Sequence, residues 1–159
     1  MIHLLPYLEE QIDSGKTPEE ICMILKSVTD SRMFVFAVNA NVEFFGQVHP
    51  LDFRIVPRIN YRNSFLPVLA GNMTEKEGGT TIGITLQMQM VTRIFLAVWN
   101  SMACFYFLCG ILAVFTGDME QISSILVPLG FIIFGQALPR CCFYGPAKKA
   151  LERLRVLLC

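Results

Sequence analysis

A run of 23 residues without a charge, Ile94–Thr116, limits what this chain can fold into more than any other feature. At 1.5 Å of rise per residue, a helix of this length is about 34 Å long, enough to cross a hydrocarbon core of about 30 Å. A chain of 159 residues is too short to bury such a helix on every side in a soluble core. The run therefore predicts a transmembrane helix.

A second apolar run, Ile122–Leu138, begins after a linker of only five residues, Gly117–Gln121. Its 17 residues lie at the short end of the range of about 17–25 that spans a bilayer. Because the linker is so short, the two helices must be antiparallel, and the sequence predicts a transmembrane hairpin at residues 93–139. Asn100 and Gln136 place an amide in each helix, which indicates either a hydrogen bond across the hairpin or a polar pore lining.

Basic residues flank the two runs and are missing from the linker between them. Arg93 precedes the first run, whereas the linker carries Asp118 and Glu120. Five basic residues follow the second run: Arg140, Lys148, Lys149, Arg153 and Arg155. Because basic flanks stay on the cytoplasmic side, we expect an inner-membrane protein with two transmembrane helices and both termini in the cytoplasm. Residues 1–30 lack the basic start and apolar core of a signal peptide.

Residues 1–92 are predicted to form a cytoplasmic α+β domain that begins with two amphipathic helices. In the first, over residues 3–12, Leu8 and Ile12 share an apolar face with two earlier leucines. The second begins at Thr17, which is followed by Pro18 at the first helical position. Glu20, three residues after the threonine, completes a capping box.

Alternation with a period of two begins at Met33 and predicts strands over residues 33–45, 53–62, 66–74 and 80–90. In the last of these, isoleucine, leucine and methionine alternate with threonine, glycine and glutamine. Short turns join the strands, so we expect a small antiparallel β meander. Its apolar face must be covered, either by the N-terminal helices or by curling of the sheet into a barrel-like form.

Residues 140–159 are predicted to form a third region, a basic amphipathic tail. From Pro146 onward, Ala147, Leu151 and Leu154 share one face of a helix, and the basic side chains lie largely elsewhere. Such a helix either lies in the plane of the lipid headgroups or packs on the β domain or a partner. The sequence leaves both arrangements open.

Three arginines, Arg54, Arg58 and Arg62, form the most specific candidate for a binding site. In a strand, a spacing of four residues keeps all three on one face, about 13 Å apart at each step. Guanidinium groups bind phosphate or carboxylate through paired hydrogen bonds, so the row predicts a site for an anionic ligand. The alternative is a solvated face whose arginines pair with acidic residues: Glu43, Asp52, Glu75 and Glu77.

The six cysteines have no zinc-binding spacing and are predicted to be reduced thiols in the cytosol. Cys141 and Cys142 lie beside the second apolar run, where lipid modification is the alternative. The sequence contains no phosphate loop, nucleophile elbow or zinc-protease motif. We therefore predict no catalytic residues, no cofactor and no metal. Zero net charge, from 13 basic and 13 acidic residues, argues against nucleic acid as a partner.

The segment from Phe45 to Gly71 carries a distinctive pattern, F-G-x-V followed by F-x-I-x-x-R-I-x-Y-R-N-S-F-x-P. It resembles a pattern in small uncharacterised bacterial membrane proteins, which share a short helix, a small β region and a two-helix hydrophobic tail. The resemblance covers residues 15–140. It implies this architecture and a bacterial source, but it implies no mechanism. The residues of the pattern that would belong to a site are Arg58, Tyr61, Arg62, Asn63 and Ser64.

The leading hypothesis is therefore a non-enzymatic binding or regulatory module held at the inner membrane. Its ligand-binding residues would be Arg54, Arg58, Tyr61, Arg62, Asn63 and Ser64, and its ligand an anionic headgroup, a nucleotide or a protein partner. A membrane-perturbing or pore-forming effector, whose hairpin self-associates, is the second hypothesis. The third is an enzyme that acts on a lipid-linked substrate through the polar groups of Tyr61, Asn63 or Ser64.

Overall fold

The computed structural model describes residues 5–31, 42–115 and 123–159, and the contacts divide the chain into two compact units. Unit 1 comprises Met1–Gln89 and Cys142–Cys159, and unit 2 comprises Met90–Cys141. The last 18 residues thus belong to the same unit as the N-terminal part of the chain.

Unit 1 is α+β, as predicted, and the described residues form a six-stranded sheet with the order β1-β6-β5-β4-β3-β2. Its elements are β1 (Tyr7–Ser14), α1 (Pro18–Val28), β2 (Thr29–Asp30), β3 (Phe44–Val48), β4 (Asp52–Pro57), β5 (Pro67–Lys76) and β6 (Gly79–Met88). The prediction of an antiparallel meander is confirmed for β3 to β6. It is wrong for the whole sheet, which is mixed, because the two-residue β2 pairs with β3 in parallel.

The sheet has one apolar and one polar face, because successive side chains of a strand point to opposite sides. Ile55, Leu69 and Leu86 are cross-strand partners in register, and all three are fully buried. The row beside them on the opposite face contains Arg54 and Thr85. The core of unit 1 therefore lies on one side of the sheet.

The predicted first helix, residues 3–12, is wrong, because β1 occupies Tyr7–Ser14 and pairs with β6. Leu8 and Ile12 lie four residues apart, a spacing that shares a face in a helix and in a strand alike. The pattern therefore could not distinguish the two structures. The unpaired backbone groups of β6 decide the outcome, since they gain hydrogen bonds along all of β1.

Helix α1 is confirmed with its predicted start. Thr17 Oγ1 accepts a hydrogen bond from the Glu20 amide at 3.4 Å, and Glu20 Oε2 accepts one from the Thr17 amide at 2.9 Å. Ile21 and Leu25 on the inner face are fully buried. Capping by side chains satisfies amides that the first helical turn leaves without partners.

Two of the predicted strands change their bounds. The strand predicted over residues 33–45 falls mainly outside the described residues, and β3 begins only at Phe44. The strand predicted over 53–62 ends early, because β4 stops at Pro57. Pairing with β5 ends already at Ile55, and pairing with β3 ends at Pro57. Arg58 and Arg62 therefore follow the strand instead of lying in it.

Unit 2 contains α2 (Met90–Phe115) and the first part of α3 (Ser123–Leu158). Both helices are long and apolar enough to span a membrane. The predicted tail helix from Pro146 is not a separate element, since α3 continues through Pro139 and Pro146. Gln136 Nε2 donates to Asn100 Oδ1 at 3.1 Å, so the predicted hydrogen bond across the hairpin is confirmed. The linker Gly117–Gln121 lies outside the described residues.

Candidate functional site

The three candidate arginines do not lie on one strand face, which corrects the geometry expected from their spacing. Arg54 lies on the polar face of β4, between Gln47 and Ala70 on the neighbouring strands. Arg58 and Arg62 belong to the connection from β4 to β5. All three side chains are exposed. We call residues 58–64 the arginine segment.

The arginine segment is fixed at its start by Arg58. The Arg58 amide donates to the Glu43 carbonyl at 2.8 Å, and its guanidinium Nη1 donates to the Val42 carbonyl at 3.2 Å. Both acceptors belong to the residues directly before β3. Arg58 therefore positions the segment in addition to carrying its charge.

The far end of the segment is fixed by Asn63, which contacts helix α3. Its Nδ2 donates to the Cys142 carbonyl at 3.0 Å, and its Oδ1 accepts from the Phe65 amide at 2.9 Å. Within a helix the Cys142 carbonyl would accept from the amide four residues later, but that residue is Pro146, which has no amide hydrogen. Asn63 supplies the missing donor. Asn63 thus positions the segment, and its role as a ligand-binding residue stays a prediction.

Asn63→Ala is expected to lower the free energy of unfolding of unit 1 by about 1–3 kcal/mol, because a part-buried carbonyl loses its donor. In a Pro146→Ala background the amide of residue 146 can serve that carbonyl, so the loss caused by Asn63→Ala should be smaller. Urea unfolding of the four proteins of this cycle measures the coupling. Equal losses in the two backgrounds would show that Asn63 does not act by satisfying the Cys142 carbonyl.

Tyr61, Arg62 and Ser64 lie between these two anchors. All three are exposed, and the Tyr61 side chain is 60% accessible to solvent. An exposed tyrosine next to an exposed arginine combines an aromatic ring with a guanidinium group, which suit an apolar contact and a phosphate or carboxylate respectively. The exposed side chains of Tyr61, Arg62 and Ser64 are therefore carried by a connection that is fixed at both ends.

The arginine segment lies at the end of unit 1 where the chain enters and leaves the apolar helices. Pro67, just after the segment, is the cross-strand partner of Met88, and α2 begins two residues after Met88. Asn63 holds Cys142, the first residue of unit 1 after unit 2. Both covalent connections between the units therefore start beside this segment.

The part of α3 that belongs to unit 1, Cys142–Leu158, buries its apolar face. Phe143, Ala147 and Leu154 are fully buried, so this region packs within unit 1, the second of the two arrangements that the sequence left open. At its end the Leu158 carbonyl accepts hydrogen bonds from Ser14 Oγ and from Lys16 Nζ. A cation at the C-terminus of a helix is favourable because of the helix dipole.

Two ion pairs hold the same part of α3 to distant parts of unit 1. Arg153 makes two hydrogen bonds to the Glu43 carboxylate, both of 2.6 Å, and Arg155 binds Glu10 at 2.9 Å. Positions two apart on a helix point about 200° apart, so the arginines reach out on opposite sides. The Arg153 hydrogen bonds hold the pKa of Glu43 below its usual value. No local pattern predicts this pair, because its members are separated by 110 residues.

Two clefts of the described structure are lined by residues outside the arginine segment. One lies in unit 2 and is apolar. The other lies at the β2–β3 edge of unit 1, beside Lys26 and His49. Among the residues that the structure describes, no group of three or more histidine, cysteine or acidic side chains is arranged to hold a metal ion.

No family model matches this chain, and neither a curated protein nor a solved structure matches it. The resemblance to small bacterial membrane proteins therefore stays a prediction.

Proposed function

We propose that this protein is a membrane-anchored module whose unit 1 lies at the cytoplasmic face of the inner membrane and binds anionic lipid headgroups through Arg58, Tyr61 and Arg62. The observation that carries the proposal is the apolar surface of unit 2. The position of the arginine segment in unit 1 then indicates which ligand it binds.

The outward surface of unit 2 is apolar over both helices. Phe105 and Leu112 on α2 are 64% and 65% exposed, and Ile133 on α3 is 59% exposed. Within the most apolar stretch of each helix, only 17% of the residues are buried. Soluble proteins rarely expose contiguous apolar patches of more than a few hundred Å². A bilayer can cover such a surface because helices satisfy their backbone hydrogen bonds largely within themselves.

The composition of unit 1 supports a hairpin that crosses the membrane twice. Unit 1 contains residues from before α2 and from after the apolar part of α3, so both must lie on one side of the bilayer. Arg93 and Arg140 flank the apolar stretches at that side. The preference of basic flanks for the cytoplasm favours the cytoplasmic face.

The arginine segment would then lie next to the headgroups, because both connections to the apolar helices start beside it. The inner leaflet carries anionic lipids, and each basic residue near it contributes about 1 kcal/mol of attraction. Arg58 and Arg62 provide two such residues, and Tyr61 is a side chain of the kind enriched at the membrane interface. We favour a headgroup over a free nucleotide for this reason.

The test uses the full chain in nanodiscs made of phosphatidylcholine alone or mixed with phosphatidylglycerol. Hydrogen exchange of the amides of residues 58–66 is measured in each. We expect slower exchange when phosphatidylglycerol is present, and loss of that difference in the double variant Arg58→Gln/Arg62→Gln. Equal exchange of the wild-type segment in the two lipids would overturn headgroup binding.

The matched control is Lys26→Gln/Lys76→Gln, which removes the same charge from exposed positions elsewhere in unit 1. Lys76 is at the opposite end of β5 from Pro67, about 30 Å away along the strand, so this variant should keep the lipid-dependent difference. Anchoring is tested separately by washing membranes with alkaline carbonate. Release of the wild-type protein into the wash would overturn the anchoring itself.

A further inference from the structure

A cleft of about 380 Å³ lies at the β2–β3 edge of unit 1. Strand β2 pairs only with Phe44 and Phe45, so Gly46–Val48 have no strand partner on that side among the described residues. These three residues line one wall of the cleft, and Lys26 at the end of α1 and Thr29 of β2 line another. The cleft therefore lies where a short edge strand leaves part of β3 uncovered.

The side chains that line the cleft are rich in hydrogen-bond donors. They provide an ammonium group, two hydroxyls and an imidazole, from Lys26, Thr29, Ser31 and His49. None of the described lining residues is acidic. This combination suits a negatively charged ligand with several acceptor oxygens, because hydrogen bonds to a charged group are stronger than those between neutral groups.

The hydroxyl of Thr29 is a second, independent indication of a ligand. Its Oγ1 is the one buried side-chain nitrogen or oxygen of the described residues that has no hydrogen-bond partner. A buried polar group without a partner costs free energy of folding and is uncommon in folded proteins. Because Thr29 lines the cleft, an oxygen of a ligand bound there would give this hydroxyl an acceptor.

The two basic side chains of the cleft are carried by fixed elements. The His49 amide donates to the Asp52 carbonyl at 2.8 Å, and His49 Nδ1 lies 3.3 Å from Asp52 Oδ1. This contact orients the ring and leaves Nε2 for a ligand, and Asp52 itself does not line the cleft. Lys26 is in the last turn of α1, whose inner residues Ile21 and Leu25 are fully buried.

We propose that this cleft binds a small, soluble phosphate monoester, with the phosphate held by Lys26, Thr29 and His49. A phosphate monoester has three strong acceptor oxygens and can serve these three donors at once, whereas a carboxylate has only two oxygens. At about 30 Å³ for each water-sized group, the cleft holds about a dozen non-hydrogen atoms. The phosphate uses about five of them, so the organic part is small, and a nucleotide is too large.

The position of the cleft favours a soluble molecule over a lipid headgroup. Phe44 at the start of β3 pairs with Pro57, which directly precedes the arginine segment. His49 lies five residues after Phe44, about 17 Å further along the strand. The cleft is therefore separate from the segment that we propose to bind headgroups.

The test measures protection of Lys26 from acetylation, with the full chain in phosphatidylcholine nanodiscs at pH 7 and mass spectrometry as the readout. The probe is glycerol 3-phosphate. At about 10 mM probe, acetylation of Lys26 should slow at least about fivefold, which corresponds to a dissociation constant of about 2.5 mM or less. Lys76, which is exposed and outside the cleft, should react at an unchanged rate in the same sample. Glycerol should protect neither lysine.

Two variants test the proposed contacts. Thr29→Val keeps the shape of the side chain and removes a hydroxyl that has no protein partner, so the fold should be unaffected. Thr29→Val and His49→Ala should each raise the dissociation constant at least about tenfold, the usual effect of losing a hydrogen bond to a charged group. Thr74→Val, the same change at an exposed position of β5, is the matched control and should bind as the wild type. Resistance of the buried Cys22 to alkylation shows that each variant is folded.

Four results would overturn the inference. The first is unchanged acetylation of Lys26 with the probe, and the second is equal slowing by sodium chloride of the same ionic strength, which would reduce the effect to charge screening. The third is wild-type protection in both Thr29→Val and His49→Ala, which would place the phosphate elsewhere. The fourth is protection by nanodiscs that contain phosphatidic acid but not by the soluble probe. None of these results bears on headgroup binding by the arginine segment, which the exchange of residues 58–66 tests.

Discussion

Leu154→Ala is expected to lower the free energy of unfolding of unit 1 by about 2–5 kcal/mol, the usual loss for a buried leucine. Leu154 is fully buried, and it lies on the α3 face that completes the core formed by β1 to β6. Removal of three carbons there leaves a cavity in this core.

The measurement uses alkylation of Cys22 in increasing urea, followed by mass spectrometry of its peptide. Cys22 is buried in α1, whereas the other described cysteines are exposed or partly exposed, so its labelling reports unfolding of unit 1. Val156→Ala is the control, because that side chain is 73% exposed and its loss should change stability by no more than about 0.5 kcal/mol. If Cys22 were alkylated at the same urea concentration in Leu154→Ala as in the wild-type protein, α3 would not contribute to this core.

Gly46→Ala is expected to destabilise unit 1 by about 3–5 kcal/mol, the sum of backbone strain and a forced separation of two strands. Gly46 has a φ of 148°, which residues with a side chain rarely adopt. An added Cβ would also overlap the Arg54 carbonyl on β4. The β4 backbone cannot move away without breaking its hydrogen bonds to β5. Relieving the clash would therefore cost free energy of folding.

Gly83→Ala provides the comparison in the same sheet and with the same chemical change. A Cβ on Gly83 meets nothing within 4 Å, and its φ is not in the positive range. We expect unchanged stability or a gain of up to about 1 kcal/mol, because alanine restricts the unfolded chain. The same Cys22 labelling in urea measures both variants. Similar urea midpoints of Cys22 labelling in Gly46→Ala and Gly83→Ala would contradict the structural role of Gly46.

Local signals in the sequence identified several elements of the fold correctly. The capping box at Thr17 placed the start of α1, and alternation placed β5 and β6. Each of these signals depends on residues within a few positions of one another. The first helix was predicted wrongly because the spacing of Leu8 and Ile12 fits both helix and strand, and only pairing with β6 distinguishes them.

The candidate site shows the same limit. The sequence selected Arg54, Arg58 and Arg62 as one row, but β4 ends at Pro57, so the last two lie in the connection that follows. It gave no indication that Asn63 donates a hydrogen bond to the Cys142 carbonyl. That partner could not be predicted, since it depends on a proline in α3 and on a contact between residues 79 positions apart.

The sequence by itself determined that this chain has two long apolar helices and a sheet of alternating strands, because length, charge and periodicity are local properties that need no partner. Only the tertiary structure decided what Cys142–Leu158 does. The same apolar face can lie on headgroups or on a protein core, since both remove it from water. The fold of unit 1 places partners for this helix on the core side, namely Glu10, Ser14 and Glu43. Their contacts favour packing on the core.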